Sequence, residues 1–284
     1  MSAPGFGEVA ERLRRSTVQV IHPGRGGGSG VIWTAEGVIV TNSHVARDRQ
    51  AQIELWDGRR FDAEVTARDL RRDVAVLRIR ATGLPESVAG DSSLLRAGEL
   101  VVAVGNPLGF IGALTTGVVH GLGPLRGLGK QNWVQAAIRL APGNSGGPLA
   151  DARGRVVGIN TMVVSGGLGL AVPSNVVADF LRRGGSAPSL GVVVRPVAIG
   201  NGGSVGLLVL QVSPAGPAAA ASVMIGDLLT GADGRAFQAV DDLSDALESG
   251  RPVVALQFLR GDRRVRREVH VRLAGRLATE GAAA

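Results

Sequence analysis

The chain has 284 residues, 45% of them hydrophobic and 19% charged, long enough for about two domains of roughly 100–200 residues and too apolar for a disordered chain. Its net charge of +7 is nearly all arginine, Lys130 being the only lysine. The basic runs Arg12–Arg15, Arg71–Arg72 and Arg263–Arg267 carry no interleaved aromatics, so no nucleic-acid partner is expected. The absence of cysteine excludes disulfides, thiolate zinc sites and thiol catalysis.

The 43 glycines against 3% aromatics point to a turn-rich, mainly β chain. A helical segment over 7–15 opens it. Runs of apolar and β-branched residues follow at Thr17–Ile21, Gly30–Trp33, Val38–Thr41, Gln52–Trp56, Arg60–Thr66, Val74–Ile79, Glu99–Val104, Ala113–His120, Trp133–Ile138, Arg155–Val164 and Leu168–Val172. Short strands at roughly 8–12-residue spacing predict an all-β barrel or sandwich. A helix closes the series, with Ser174 as N-cap and Val176, Val177, Phe180 and Leu181 as its apolar stripe.

Residues 184–188 (Gly-Gly-Ser-Ala-Pro) read as a linker between a first domain over 1–183 and a second over 189–276, with a flexible tail over 277–284. The second domain shows β-runs at Gly191–Val197, Val205–Val212 and Asp227–Thr230, a short helix after Pro217, a helix at Val240–Ser249, and a hairpin of Val253–Arg260 with Val265–Leu273.

The strongest chemical signal is Pro142-Gly-Asn-Ser-Gly-Gly-Pro-Leu149. A serine hydroxyl needs an adjacent base and a means of holding the oxyanion it creates. Glycines around Ser145 let the backbone turn sharply, so that the amides of Gly143, Asn144 and Ser145 become candidate oxyanion donors. Four histidines are present: His22, His44, His120 and His270. They show no metal-ligand spacing, and no metal or cofactor is expected. His44, just after the strand Val38–Thr41, is the best base, with His120 its rival. Asp73, at the head of the run Val74–Ile79, suits a carboxylate that orients the imidazole; Asp69 is the alternative. The order His44, Asp73, Ser145 is that of chymotrypsin-like proteases.

With these residues in place, 10–183 resembles an HtrA (Deg) protease domain. The resemblance rests on Gly26-Gly-Gly-Ser-Gly-Val31, Thr41-Asn-Ser-His44, Asp73-Val-Ala-Val76, Gly105-Asn-Pro-Leu108, Gly143-Asn-Ser-Gly-Gly-Pro148 and Ala171-Val-Pro-Ser-Asn175. Residues 189–273 resemble the PDZ domain that follows in this family. The resemblance implies a trypsin-like double β-barrel and an α+β PDZ domain, in which Leu190, Gly191 and Val192 bind a peptide carboxylate. It implies a serine endopeptidase acting on unfolded or misfolded proteins, and a homotrimer. For the trimer contact the N-terminal segment offers one aromatic, Phe6.

The segment before Ser145 departs from the family pattern. Arg139 stands six residues before the nucleophile, near the expected base of the specificity pocket, with Leu168 and Leu170 as its apolar lining. Two rivals stay open: a chaperone or peptide-binding protein whose protease site is silent at rest, and an esterase on the same triad. No run of about 18 apolar residues signals a transmembrane helix. No basic-then-apolar leader precedes the first helix, so a cytoplasmic location is expected for the chain as given, or a cell-envelope one with an export signal outside it.

Overall fold

The computed structural model describes residues 5–22, 26–106, 112–125, 128, 131–164, 166–185, 189–199, 204–248 and 251–273. Pro107 and Leu108 of the fourth motif, residues 186–188 of the expected linker and the expected tail lie outside the described residues. The chain divides into two compact units, 1–186 and 187–284, and among the described residues no helix is long and apolar enough to cross a membrane.

The first unit opens with α1 (Phe6–Ser16), which buries Val9 and Leu13, one turn apart on a single face. Six antiparallel strands follow: β1 (Thr17–His22), β2 (Gly26–Ile32), β3 (Val38–Thr41), β4 (Gln50–Glu54), β5 (Arg60–Asp69) and β6 (Val74–Ile79). They form a closed barrel in the order β1-β2-β3-β6-β5-β4, filled by Val18, Val20, Ile32, Ile39, Ile53, Leu77 and Ile79. β2 begins four residues before the run expected at Gly30, because its glycines pair in the ladder while admitting close neighbours. A Cβ on Gly30 would lie 2.9 Å from Ile39 Cγ2, and one on Gly28 2.8 Å from the Ser145 carbonyl oxygen.

The second set comprises β7 (Val88–Ala89), β8 (Leu100–Gly105), β9 (Ala113–Pro124), β10 (Asn132–Ile138), β11 (Pro148–Asp151), β12 (Arg155–Val164) and β13 (Leu168–Pro173). Pairing of β11 with β12 closes β11-β8-β9-β10-β13-β12 into a second six-strand barrel, and β7 joins β12 in parallel outside it. β11 escapes sequence reading because it starts inside the Gly-Gly-Pro-Leu segment, whose composition signals a turn. β9 runs on past His120 to Pro124, opposite Asn132.

α2 (Ser174–Arg182) packs Val177 and Phe180 into this core. Ser174 does not cap it: Pro173 holds the cap position, and the Ser174 hydroxyl donates to the Gly90 carbonyl at 2.7 Å.

The second unit comprises β14 (Val192–Ile199), β15 (Ser204–Val212), α3 (Pro217–Ala220), β16 (Leu228–Ala232), β17 (Arg235–Ala236), α4 (Asp241–Glu248), β18 (Val253–Arg260) and β19 (Asp262–Arg272). Its sheet runs β14-β15-β16-β18-β19, with β17 paired to β16. Leu243 and Leu247 of α4 join Leu207, Phe237, Val254 and Leu256 in one core. The chain is therefore mainly β, two barrels followed by an α+β unit, as expected.

All three tryptophans, Trp33, Trp56 and Trp133, lie in the first unit, so their fluorescence follows its unfolding alone. Phe180→Ala removes a buried ring from the barrel core and should cost about 3–5 kcal/mol. A urea titration followed by tryptophan emission should show the unfolding free energy fall by that amount, with a lower midpoint; an unchanged midpoint would contradict the packing.

Candidate active site

The site forms where elements of the two barrels meet. After β3 the chain makes a helical turn, with the amides of Val45 and Ala46 both donating to the Asn42 carbonyl. This turn carries His44 out to a position 41% exposed at the side chain, whereas Asp73 is 14% exposed. Asp73 sits before β6 at φ +55°, a region that residues with a Cβ seldom occupy. The Asn42 side-chain amide holds that backbone by donating to the Asp73 carbonyl at 2.9 Å.

The Asp73 carboxylate gathers donors from both barrels. His44 gives its backbone amide at 3.0 Å and faces the carboxylate oxygens with Nδ1 at 2.8 and 3.0 Å. Ser43 Oγ donates at 2.9 Å, and Thr161 Oγ1, from β12, donates to the other oxygen. Burial pushes the carboxyl up, but the hydrogen bonds from His44 and Thr161, and the charge of His44, outweigh it and hold Asp73 below the usual carboxylate value. A carboxylate against Nδ1 makes Nδ1 the protonated nitrogen of the neutral ring, leaving the Nε2 lone pair free to accept a proton.

The Ser145 loop is held from β2. Ser29 donates its amide to the Ser145 carbonyl at 2.8 Å and its hydroxyl to the Gly143 carbonyl at 2.6 Å, while accepting the Asn106 amide on that hydroxyl at 2.9 Å. Gly143 adopts φ +104° and Gly146 φ +86°, which glycine tolerates. Among the described residues, the amides of Gly143 and Ser145 donate to nothing, so both can serve one incoming anion. The Asn144 amide does not join them, because it donates back to the Ala141 carbonyl at 3.0 Å. Ser145 Oγ donates to the Thr161 carbonyl at 2.8 Å; no hydrogen bond joins it to His44 among the described residues.

The comparisons agree with this arrangement. A family model described as Trypsin-like peptidase domain matches residues 28–159, and one described as PDZ domain matches 188–271. The putative serine protease HhoA of Synechocystis sp. is 34% identical over 271 residues, covering 84% of this chain and 69% of its own length. Protease Do-like 1, chloroplastic, of Arabidopsis thaliana is 36% identical, covering 89% and 65%. A probable periplasmic serine endoprotease DegP-like of Pseudomonas fulva is 36% identical, covering 81% and 53%.

Among solved structures, the HtrA-type protease AlgW with decapeptide matches with a TM-score of 0.69 at 26% identity, over 95% of this chain and 98% of that one. The serine endoprotease from Yersinia pestis matches with 0.68 at 27% identity, over 96% and 98%.

The chain belongs to the HtrA/DegP family of serine proteases. It spans 49% to 69% of the length of the first curated relatives it matches.

Within this HtrA-type chain, the other expected site residues divide. Asp69 is engaged by Arg72 through Nη1 at 2.8 Å and the backbone amide at 2.9 Å, which removes it from His44. Arg139 faces solvent, Leu168 is half-buried, and Leu170 is fully buried beside Trp133 and Val172 in the core. Leu140, which sequence reading passed over, closes on the strand opposite: a Cβ on Gly169 would lie 2.9 Å from its Cδ1 and 2.8 Å from Ile138 Cγ2.

In the second unit Leu190 is buried and Gly191 adopts φ +72°. The Gly191 amide donates to Ser189 Oγ at 3.0 Å, and its carbonyl accepts from the Ser213 amide at 2.7 Å. Among the described residues β14 pairs only with β15, which leaves its outer edge open.

Thr161 and Ser29 are the members that sequence reading missed as site residues. Ser29 lay in view inside the glycine-rich motif. Thr161 sits in an apolar strand where the register with β13 skips between Asn160 and Met162, a feature only the pairing reveals.

Because Asp73 titrates below its ordinary value, its contribution to stability is present above about pH 4 and is lost as pH falls through the folded-state value. Thr161→Val removes one donor and should bring that value back toward normal. Tryptophan-detected urea midpoints measured from pH 5 to pH 3 should then fall less in the variant than in the parent. Parallel curves would remove Thr161 from this role.

Proposed function

We propose that the chain is a serine endopeptidase acting through Ser145, His44 and Asp73. The observation that carries this reading is the Asp73–His44 contact placed across from a loop whose Gly143 and Ser145 amides have no other partner. Ser145 Oγ rotates from the Thr161 carbonyl to His44 Nε2, gives up its proton and bonds to the scissile carbonyl carbon. The two amides hold the oxyanion, worth about 2.7–4 kcal/mol per donor in comparable sites. His44 then delivers the proton to the leaving nitrogen as the C–N bond breaks. Water, deprotonated by His44, attacks the ester and releases the acid and Ser145. Asp73 keeps Nδ1–H in place and stabilises the imidazolium throughout.

The substrates on this reading are unfolded or damaged proteins, cut after small apolar residues. Supporting the apolar preference, Arg139 points to solvent while Ile138 and Leu140 close around Gly169. The second unit would capture an extended peptide as an added strand on the open edge of β14, its terminal carboxylate at the Leu190–Val192 loop. The solved AlgW complex with a decapeptide fits that reading. A homotrimer belongs to the same reading, supported by the exposed Phe6 at the start of α1.

A fluorophosphonate probe should label the wild-type chain and not Ser145→Ala. Casein cleavage should fall by about 10⁴-fold or more in Ser145→Ala and His44→Ala. Among test peptides, those with Val or Ala before the cut should be cleaved faster than those with Glu. Absence of labelling even with an activating peptide present would favour a non-proteolytic chaperone, and a Glu preference would sink the apolar pocket.

For the second unit, a fluorescent peptide with a free C-terminal carboxylate should bind the full chain at least tenfold more tightly than its amidated form. Gly191→Val, strained at φ +72° and placing its Cβ 3.1 Å from Gly216 Cα, should abolish that difference. Equal affinity for the two peptides would refute the carboxylate loop.

A further inference from the structure

Peptide capture on the β14 edge leaves open which chain ends are taken, and β14 itself carries the means to choose. Arg195 is the only charged residue of β14 and β15. It is exposed, and among the described residues its guanidinium has no hydrogen-bond or ion-pair partner.

The face on which it stands follows from the strand's alternation. Val192 and Val194 pack against the core that holds Leu207 and Val209, so Val193 and Arg195 lie on the opposite face. Val193 is 50% exposed there, across from Gln211, and the ladder then takes up Leu210 as an extra residue, 40% exposed. Arg195 is paired with Leu208, which is paired in turn with Leu228. β14, β15 and β16 contain no Asp or Glu. The acidic helix α4, with Asp241, Asp242, Asp245 and Glu248, packs through Leu243 and Leu247 on the core face instead.

The backbone fixes how an added strand would meet Arg195. Val205 and Val209 donate their amides away from β14, to the Phe237 and Asp227 carbonyls at 3.0 and 2.8 Å. Gly206 and Leu208 therefore hold the β14–β15 ladder, with Val197 and Arg195 as their partners. Val194 and Pro196 are left turned to the open edge, where Pro196 has no N–H to give. A peptide whose carboxylate lies at the Leu190–Val192 loop runs antiparallel to β14. With its last residue opposite Val192, its second residue from the end faces Val193 and its fourth faces Arg195. Both are non-hydrogen-bonded pairs, the closer kind, at about 4.5 Å between Cα atoms. The open edge loses its donor at the next residue, Pro196, so Arg195 faces the last position before that break.

We propose that Arg195 and Val193 select the captured chain ends: those with an acidic side chain fourth from the end and an apolar one second from it. This selection rests on β14 being the capturing edge. A charge on an edge strand also guards against unwanted pairing, but a guard does not distinguish one register of a carboxylate from the next.

The test is fluorescence anisotropy of the full chain with labelled peptides of equal length that end in a free carboxylate. With valine second from the end, glutamate fourth from the end should bind about fivefold more tightly than lysine, an exposed ion pair exchanged for like charges. The gap should close as salt is raised. Moving the same glutamate to third from the end keeps the peptide's charge but turns the carboxylate to the core face, and should forfeit the gain. With glutamate kept fourth, valine second from the end should bind about threefold more tightly than serine. Arg195→Glu should reverse the preference between glutamate and lysine. The wild-type comparisons need no variant, so a variant that fails to fold leaves the test intact. Equal binding of the two glutamate isomers, of the glutamate and lysine peptides, or of the valine and serine peptides would overturn the selection. If a free carboxylate still bound more tightly than its amide, capture itself would stand; loss of that difference as well would overturn both.

Discussion

The Asp73 carboxylate is the point on which the first unit's site depends. A buried carboxylate is costly unless its lone pairs are met by donors, and here they come from both barrels at once: the Ser43–His44 turn from one, Thr161 on β12 from the other. Neither barrel alone could satisfy it. The cost of burying this one group therefore couples the packing of the two barrels to the orientation of the His44 ring. The left-handed backbone at Asp73 belongs to the same arrangement, since it turns the carboxylate back toward the His44 turn while β6 pairs with β5 from Val74 and with β3 from Ala75.

Ser29 plays the corresponding part for the Ser145 loop. Its amide and hydroxyl fix the Ser145 and Gly143 carbonyls, and its own carbonyl accepts from Thr41 Oγ1 at 2.7 Å, one residue before the His44 turn begins. The Ser145 amide shares its peptide unit with the Asn144 carbonyl, which accepts from the Gly147 amide at 3.0 Å, and that turn sets the direction the Ser145 amide faces. Close approach to the loop explains Gly28, where a side chain would meet both the Ser145 carbonyl and Val45; Gly30 faces Ile39, Val18 and Val20 in the barrel instead. Within the Gly-Gly-Gly-Ser-Gly motif, Gly28 and Ser29 are thus the two residues that serve the loop, which lies far from them in sequence.

Much of this was readable before any coordinates. The strand run Val74–Ile79 and the histidine turn after Val38–Thr41 are local patterns, and the loop around Ser145 announces itself through residue types that only a sharp turn requires. What stayed hidden is non-local. β11 is invisible because Gly147 and Pro148 carry turn chemistry, and its strand character comes from pairing with β8 and β12. Thr161 is an ordinary β-branched residue in an apolar strand, and only the register skip at that point aims it at Asp73. Leu170 looked like pocket lining from position alone, yet its face of β13 turns to the core, while Leu140 closes near Gly169. Asn144 looked equivalent to its neighbours as an amide donor until the loop's own hydrogen bond to Ala141 took it away.

The contact between Ser145 Oγ and the Thr161 carbonyl bears on whether such a site is silent at rest. A neutral hydroxyl–carbonyl hydrogen bond is worth about 0.5–1.5 kcal/mol net, which biases the hydroxyl's rotamer by roughly two- to thirteenfold. The group on offer in the proposed mechanism is an imidazole already aligned by Asp73, to be reached by a turn about one side-chain bond. Silencing of a deeper kind would require the Gly143 amide to turn inward, as the Asn144 amide does. That amide turns with the Pro142 carbonyl, for which no hydrogen bond is found among the described residues, whereas Ser29 holds the next peptide unit through the Gly143 carbonyl. Two motions therefore bear on the resting state of the proposed site: rotation of the Ser145 side chain, and turning of the Pro142–Gly143 peptide unit.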